Sequence, residues 1–428
     1  MIIIYDLVFL LITIFYLPLY LFRRKFHHGF LTRLGFLPKG LDLGRPIWIH
    51  AVSVGEALSL RPLLEGLRKT YPQKKFVIST VTATGNKIAR SYADSGDFVT
   101  YLPLDFSFIV SCVLNKIKPS LFIVAETEFW PNLLTRLYKK NIPVLVVNAR
   151  ISDRSLSGYR IIGFLIKPLL DKISLFCAQS ERDRERLVLL GVRPDKIRVA
   201  GNLKFDGADL KKDYTDYRPK LGLRHNEKLF IAASTHPQEE EIVLDVYKKL
   251  LAEFNYLRLL IAPRHPERSA QIMNAIGNHG FNPVRTSSLS EETGQRGDGE
   301  TVFVLDTIGQ LIDFYRICDI VFVGGSFAKV GGHNILEPAL LGKPVFFGPH
   351  MFNFRDIAAL FLENKAAVMA HSENELYLKI REALNNPEGL KSSAQRAQSL
   401  ILQNQGATRK SLDCIRSIYD KIQENKGC

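Results

Sequence analysis

Apolar runs of four to six residues alternate with amphipathic stretches along most of this chain. Pro46-Ile-Trp-Ile-His-Ala-Val52, Phe76 to Thr80, Phe98 to Pro103, Leu121 to Ala125, Val144 to Asn148 and Leu175 to Gln179 read as strands. Between them, Ala57 to Tyr71, a stretch after Gly85 with Lys87 and Arg90, Phe106 to Ile117, Trp130 to Lys140 and Glu181 to Leu190 carry helical spacing. Runs apolar on both faces and separated by helices predict a doubly wound parallel sheet. The alternation pauses in a polar stretch after Asp206 and restarts at Leu229-Phe-Ile-Ala-Ala233. It continues through a helix over Gln238 to Phe254, strands at Arg258 to Pro263 and Val302 to Asp306, a helix from Ile308, and strands at Asp319 to Val323 and Gly342 to Gly348. Two α/β halves follow: a first at 26–206, a linker at 207–228, a second at 229–391, and a basic helical tail at 392–428. Ser287 to Asp298 reads as a polar insertion.

Two stretches depart from the alternation. Met1 to Phe22 is apolar apart from Asp6 and is followed by Arg23-Arg24-Lys25. Its length suits a bilayer, and the trailing positive charges predict a membrane anchor at 1–25 with the rest of the chain on the cytoplasmic side. Asp6 and Pro18 leave a shallower, monotopic insertion open. The residues from Phe26 to Gly44, with His27 and His28, are read either as a juxtamembrane segment or as a solvated connector. The second stretch, Gly324 to Pro349, places glycine pairs at 324–325 and 331–332 around His333-Asn334-Ile335-Leu336-Glu337-Pro338. It reads as strand, glycine loop, helix opening and strand, a unit that can cradle a phosphate or simply make a crossover.

With 428 residues and 46% hydrophobic content, the chain can build two proper cores. A formal net charge of +14 suits an anionic membrane surface or an acidic substrate, and no long Lys/Arg run or zinc-finger spacing supports nucleic acid. Five scattered cysteines without a CxxC pair fit a reducing compartment. No nucleophile elbow, Walker loop, HExxH or kinase motif set is present, which weakens hydrolase, ATPase and protease readings.

Ligands in open α/β sheets bind beyond the carboxyl ends of the strands. In the second half that edge collects Ser234, Thr235, His236, Arg264, His265, Gly324, Gly325, Ser326 and the 331–337 motif, a set rich in anion binders. In the first half it collects Ser53, Gly55, Glu56, Thr82, Thr84, Gly85, Glu126, Glu128, Asn148 and Arg150. Glu56, at a strand-to-helix turn, is placed either as a general base on a hydroxyl or as a helix-terminal carboxylate complementing the dipole. Glu126 and Glu128 share a face of an extended segment, so one of them can be structural. His333 and Glu337 stand four apart but lack a third ligand, so no metal site is assigned.

Taken together, His50-Ala-Val-Ser-Val-Gly-Glu56, Glu126-Thr-Glu-Phe-Trp-Pro-Asn132, Val147-Asn-Ala-Arg150, Gly201-Asn-Leu-Lys-Phe-Asp206, Ala233-Ser-Thr-His236, Ala262-Pro-Arg-His265, and Gly331-Gly-His-Asn334 with Glu337-Pro338 resemble the Kdo transferases over essentially the full length. These add 3-deoxy-D-manno-octulosonic acid (Kdo) to lipid A precursors in lipopolysaccharide synthesis. The resemblance implies a GT-B type α/β fold, two Rossmann-like domains facing a cleft behind an N-terminal membrane-anchor helix, and an inverting, metal-independent glycosyltransferase with no cofactor. The donor would be CMP-Kdo and the acceptor a phosphorylated, acylated glucosamine disaccharide in the inner membrane, with membrane lipids as further partners. It implies Glu56 as general base and Glu126 as its acidic companion. Ser53, Gly55, Thr84, Glu128 and Arg150 would lie on the acceptor side. Lys204, Ser234, Thr235, Arg264, His265, Gly325, Gly331, Gly332, Asn334 and Glu337 would serve the donor, Glu337 at the ribose hydroxyls. Another membrane-associated transferase using a UDP-sugar, a sugar-nucleotide epimerase of the same fold, or a non-catalytic nucleotide-binding membrane protein are the competing readings. The number and linkage of Kdo residues have no motif in this sequence.

Overall fold

The computed structural model describes residues 5–11, 13–15, 29–207, 214–289 and 300–427. Its contacts divide the chain into two units, 1–207 with 404–428, and 208–403. The first unit holds seven strands: β1 (Ile47–Ala51), β2 (Phe76–Thr80), β3 (Phe98–Tyr101), β4 (Leu121–Ala125), β5 (Val144–Ala149), β6 (Leu175–Ala178) and β7 (Ile197–Val199). They pair in the order 3-2-1-4-5-6-7, every pairing parallel. β1, β2, β4 and β5 are buried along their whole length, the expected state of strands covered by helices on both faces. Trp48 packs edge-on against Phe122 at 5.2 Å and donates its indole N–H to Ser79 Oγ at 2.7 Å. Helix Val54–Thr70 covers one face with Leu60, Leu63, Leu64 and Leu67, the i, i+3, i+4, i+7 stripe of an amphipathic helix.

The second unit repeats the plan with β8 (Lys228–Thr235), β9 (Leu257–Pro263), β10 (Asn282–Arg285), β11 (Thr301–Val304), β12 (Ile320–Val323), β13 (Val345–Phe347) and β14 (Val368–Met369). Their order is 10-11-9-8-12-13-14, again parallel throughout. Both units are therefore Rossmann-like. In each, strand order reverses beside the first strand, between β1 and β4 and between β8 and β12. These are the topological switch points at which such sheets open a crevice.

Three segments differ from the sequence expectation. Of the stretch read as a linker, Gly207 falls in the first unit and the part described from Tyr214 onward is built into the second: Tyr217 stacks on Phe314 at 4.4 Å, Leu221 is buried, and Arg218 donates to the carbonyl of Ile317. The tail divides into helices Pro387–Asn404 and Ala407–Gly427. The latter returns to the first unit, where Tyr419 is buried and its hydroxyl lies 2.7 Å from Ser120 Oγ, and Asp206 accepts the amides of Gly406 and Thr408.

The expected anchor at 1–25 is not shown by the described residues. Among the described residues no helix is long and apolar enough to cross a membrane. Residues 1–4, 12 and 16–28 of that expectation, including Arg23 to Lys25, Pro18, His27 and His28, lie outside the described residues, as does 290–299 of the polar insertion. The part that is described packs on the first unit. Asp6 Oδ1 accepts from the amide of Ser107 at 3.1 Å and from Asn132 Nδ2 at 2.7 Å, and Phe9 meets Phe106 edge-on at 4.9 Å. A carboxylate that would be costly in lipid thus finds two donors on the protein.

Candidate active site

At the carboxyl end of β1, the chain turns through Val52 and Ser53 into helix Val54–Thr70. Ser53 is the N-cap: its hydroxyl oxygen accepts the amide of Glu56 at 3.3 Å, and its O–H donates to Glu56 Oε1 at 2.8 Å. Glu56 Oε2 accepts the amide of Val52 at 2.8 Å. This is a local capping arrangement written in four residues, Ser-Val-Gly-Glu. It holds the carboxylate at the switch point with only 8% of the residue exposed. β4, the neighbour of β1, ends at Ala125 and passes directly into Glu126, a non-glycine residue at φ +57°. A left-handed conformation at a strand end beside a crevice is strain of the kind held at functional sites. Burial pushes the Glu56 carboxyl up to about 7, with the charges of Glu126 and Glu128 adding to the rise. Burial likewise raises Glu128, with Glu126 contributing. The structure therefore brings Glu56, Glu126 and Glu128 into one electrostatic cluster.

The other first-unit candidates surround this cluster in different ways. Thr127 Oγ1 donates to the Arg150 carbonyl at 2.6 Å, tying the acidic loop to the end of β5. Gly55 and Thr84 are exposed at the first turns of their helices, and Thr82, not Thr84, caps helix Ala83–Ser91. Asn148, at φ +55°, accepts the Leu203 amide on Oδ1 at 3.0 Å. That bond fixes the short turn Leu203–Asp206, so Lys204, expected to serve the donor, belongs to the first unit.

In the second unit, β8 ends at Ser234, at φ +55°, and Thr235. Thr235 is fully buried and donates to Glu240 Oε1 at 2.9 Å. His236 and His333 come from the loops after β8 and β12; their rings stack at 5.1 Å and 4° with Nε2 atoms 2.8 Å apart. Burial lowers both, His333 to about 4 with His236, Arg264 and His265 adding, so the pair is neutral near pH 7 and one ring donates to the other. His265 meets His236 edge-on at 6.0 Å, and Arg264 and His265 are exposed at the end of β9. The motif read as a helix opening at His333 stays irregular through Asn334, and the helix covers only Leu336–Leu340. Asn334 accepts the Leu336 amide and donates to Glu337 Oε1 at 3.0 Å, and burial raises the Glu337 carboxyl. Gly331 and Gly332, at φ +102° and +74°, are dictated by packing as well as by turning. A Cβ on Gly332 would lie 2.2 Å from Met351 Sδ, and one on Gly331 2.4 Å from Phe352.

One residue that the motifs did not single out holds this edge together. Glu239 opens helix Glu239–Glu253 and is 1% exposed. It takes the amide of Gly325 at 2.7 Å, so the glycine loop's N–H groups point to the protein's own carboxylate. Among three consecutive glutamates, Glu239 to Glu241, no local signal distinguished it. The His236–His333 pair was readable only as two strand-end histidines 97 residues apart. Among the described residues, no group of three or more His, Cys, Asp or Glu is arranged to hold a metal ion.

Comparison with known proteins matches this architecture unit by unit. A family model described as 3-Deoxy-D-manno-octulosonic-acid transferase (kdotransferase) covers residues 28–207, and one described as Glycosyl transferases group 1 covers residues 213–400. The UDP-GlcNAc 2-epimerase from Neisseria meningitidis, solved bound to UDP-GlcNAc, superposes with a TM-score of 0.53 over 84% of this chain and 99% of its own; at 14% identity this likeness speaks for the fold alone. A 3-deoxy-D-manno-octulosonic acid transferase from Chlamydophila psittaci is 32% identical over 87% of this chain and 86% of its own. That of Haemophilus influenzae is 35% identical over 381 residues, 88% of this chain and 87% of its own. Such identity across nearly the whole of both chains is beyond what a shared fold alone produces, and the chain belongs to the 3-deoxy-D-manno-octulosonic acid transferase family of glycosyltransferases.

Proposed function

We propose that this enzyme transfers Kdo from CMP-Kdo to a phosphorylated glucosamine disaccharide, the lipid A precursor, in lipopolysaccharide synthesis, inverting the anomeric centre and using no metal. The observation that carries the reading is Glu56: a buried carboxylate at a switch point, held on both oxygens and raised to about 7. A base poised near the working pH is the effective one for taking a proton from an alcohol. In the step, the acceptor O–H gives its proton to Glu56 as its oxygen bonds to the anomeric carbon. The bond from that carbon to the phosphate oxygen breaks, and CMP leaves with the electron pair. Glu126 and Glu128 keep Glu56 basic. Arg264, His265 and the His236–His333 pair are the groups offered to the phosphate and sugar carboxylate, and Glu337 to the ribose hydroxyls.

An acylated acceptor calls for reaction at a membrane, here the cytoplasmic face of the inner membrane. A net charge of +14 suits an anionic lipid surface. Ile161 and Phe164, 80% and 76% exposed, give the first unit an apolar edge that suits peripheral attachment. Purified protein is to be incubated with CMP-Kdo and lipid A precursor, with and without EDTA, and the products weighed. A gain of one or more Kdo masses in both tubes is expected. No gain, or stabilisation by UDP-sugars and not by CMP, would sink the donor assignment.

A further inference from the structure

We infer that Glu239 is the internal anion on which the nucleotide edge of the second unit is assembled, a positioning residue rather than a substrate ligand. The inference rests on the donor reading above for its functional consequence, and on the geometry alone for the rest. Five backbone N–H groups converge on this one carboxylate. Oε2 accepts from His236 at 3.0 Å and Gly325 at 2.7 Å; Oε1 accepts from Ser326 at 2.9 Å, Phe327 at 2.8 Å and Ala328 at 3.2 Å. Successive amides turned inward in this way form a nest, the backbone device that elsewhere captures phosphate. Here the nest is filled from within.

The surrounding constraints follow from that filling. A Cβ on Gly324 would lie 2.9 Å from Glu239 Oε2 and 2.7 Å from the Ser234 carbonyl, so this glycine is required by the approach of Glu239 and β8. Ser326 donates its hydroxyl to the Val323 carbonyl at 2.6 Å and accepts the Gly348 amide at 2.8 Å. The Gly332 amide donates to the Gly325 carbonyl at 2.7 Å. One carboxylate thus joins the loops that follow β8 and β12, and through them those that carry Gly332 and Gly348. It also fixes the backbone of His236 and, through it, the imidazole pair with His333. The amides of 325–328 are consequently not available to a donor phosphate, which falls to the side chains at the rim.

Glu239→Ala removes Cγ and the carboxylate, the heavy atoms of one acetate ion, and leaves five amides around an anion-sized space. The variant is expected to melt lower than wild type and to regain its melting temperature saturably in sodium acetate, but not in sodium chloride of equal ionic strength. Its affinity for CMP should fall by about tenfold or more and return with acetate, while turnover at saturating donor stays within about threefold because the base is untouched. Glu239→Gln, which keeps the shape but loses the charge and one acceptor, should bind CMP more weakly than wild type and gain nothing from acetate. Wild-type CMP affinity in Glu239→Gln, or a Glu239→Ala variant on which acetate acts no differently from chloride, would overturn the inference. If Glu239→Ala does not fold without acetate, folding in acetate and not in chloride supports it, and failure in both leaves Glu239→Gln to decide. A wild type that binds UDP and not CMP would overturn the donor reading alone, and the acetate-dependent melting would still decide the role of Glu239.

Discussion

Replacing Glu56 by glutamine should make the protein more stable at pH 8 while removing its activity. The carboxyl is raised from its ordinary 4.5 to about 7, chiefly by burial. A raised carboxyl binds its proton more tightly folded than unfolded. Its favourable contribution is therefore fully present below pH 4.5 and lost as pH rises through about 7. The difference corresponds to roughly 3 kcal/mol of penalty for holding the charged form at pH 8. Glutamine escapes that penalty but can accept from only one of the two present donors, Val52 N–H and Ser53 O–H. Losing one such bond costs about 1–1.5 kcal/mol, leaving a net gain of about 1–2 kcal/mol at pH 8 and a small loss at pH 4.5. Urea unfolding of both proteins at the two pH values measures the crossing. Turnover should fall by about a hundredfold or more, the usual consequence of removing a general base. Equal destabilisation at both pH values would refute the strained carboxylate, and turnover within about tenfold of wild type would refute its role as base.

Two further outcomes follow from the packing. Asp6→Ala deprives the Ser107 amide of its acceptor and Asn132 of one of two, and should cost about 1–2 kcal/mol in urea unfolding; unchanged stability would mean that the N-terminal helix is not docked on the first unit. Gly332→Ala puts a Cβ at φ +74° against Met351 and should cost about 2–4 kcal/mol, lowering the melting point of the second unit and weakening CMP binding; a variant as stable as wild type would show that Met351 moves aside freely.

Much of this fold was legible along the chain because strands buried on both faces must be apolar throughout, and β2 and β4 have the bounds that their apolar runs predict. The strands that escaped are edge or near-edge strands. β7 exposes Arg198 on its middle residue, and β10 contains Pro283, so neither shows a continuous apolar run. The Ser-Val-Gly-Glu stretch was legible as a turn at a strand end, but the helix begins at Val54 rather than Ala57, and the cap that Ser53 forms with Glu56 was not read from the sequence.

By itself, then, the sequence determined two parallel α/β halves, the strand-end position of the candidate residues, and the local geometry that holds Glu56. Tertiary structure decided which strand ends meet. Only the order 2-1-4 puts Glu56 beside Glu126, and only the pairing of β8 with β12 brings His236 to His333 and Glu239 into the glycine loop. It also decided the fate of Asp6, an oddity in an apolar run until Ser107 and Asn132 are found beside it. The physical reason is range. Periodicity and capping are set by neighbours within a few residues, whereas the pairing of β1 with β4, Ile47 opposite Leu121, and the reach of Glu239 to the amides of 325–328 join positions far apart in the chain, which no local pattern records.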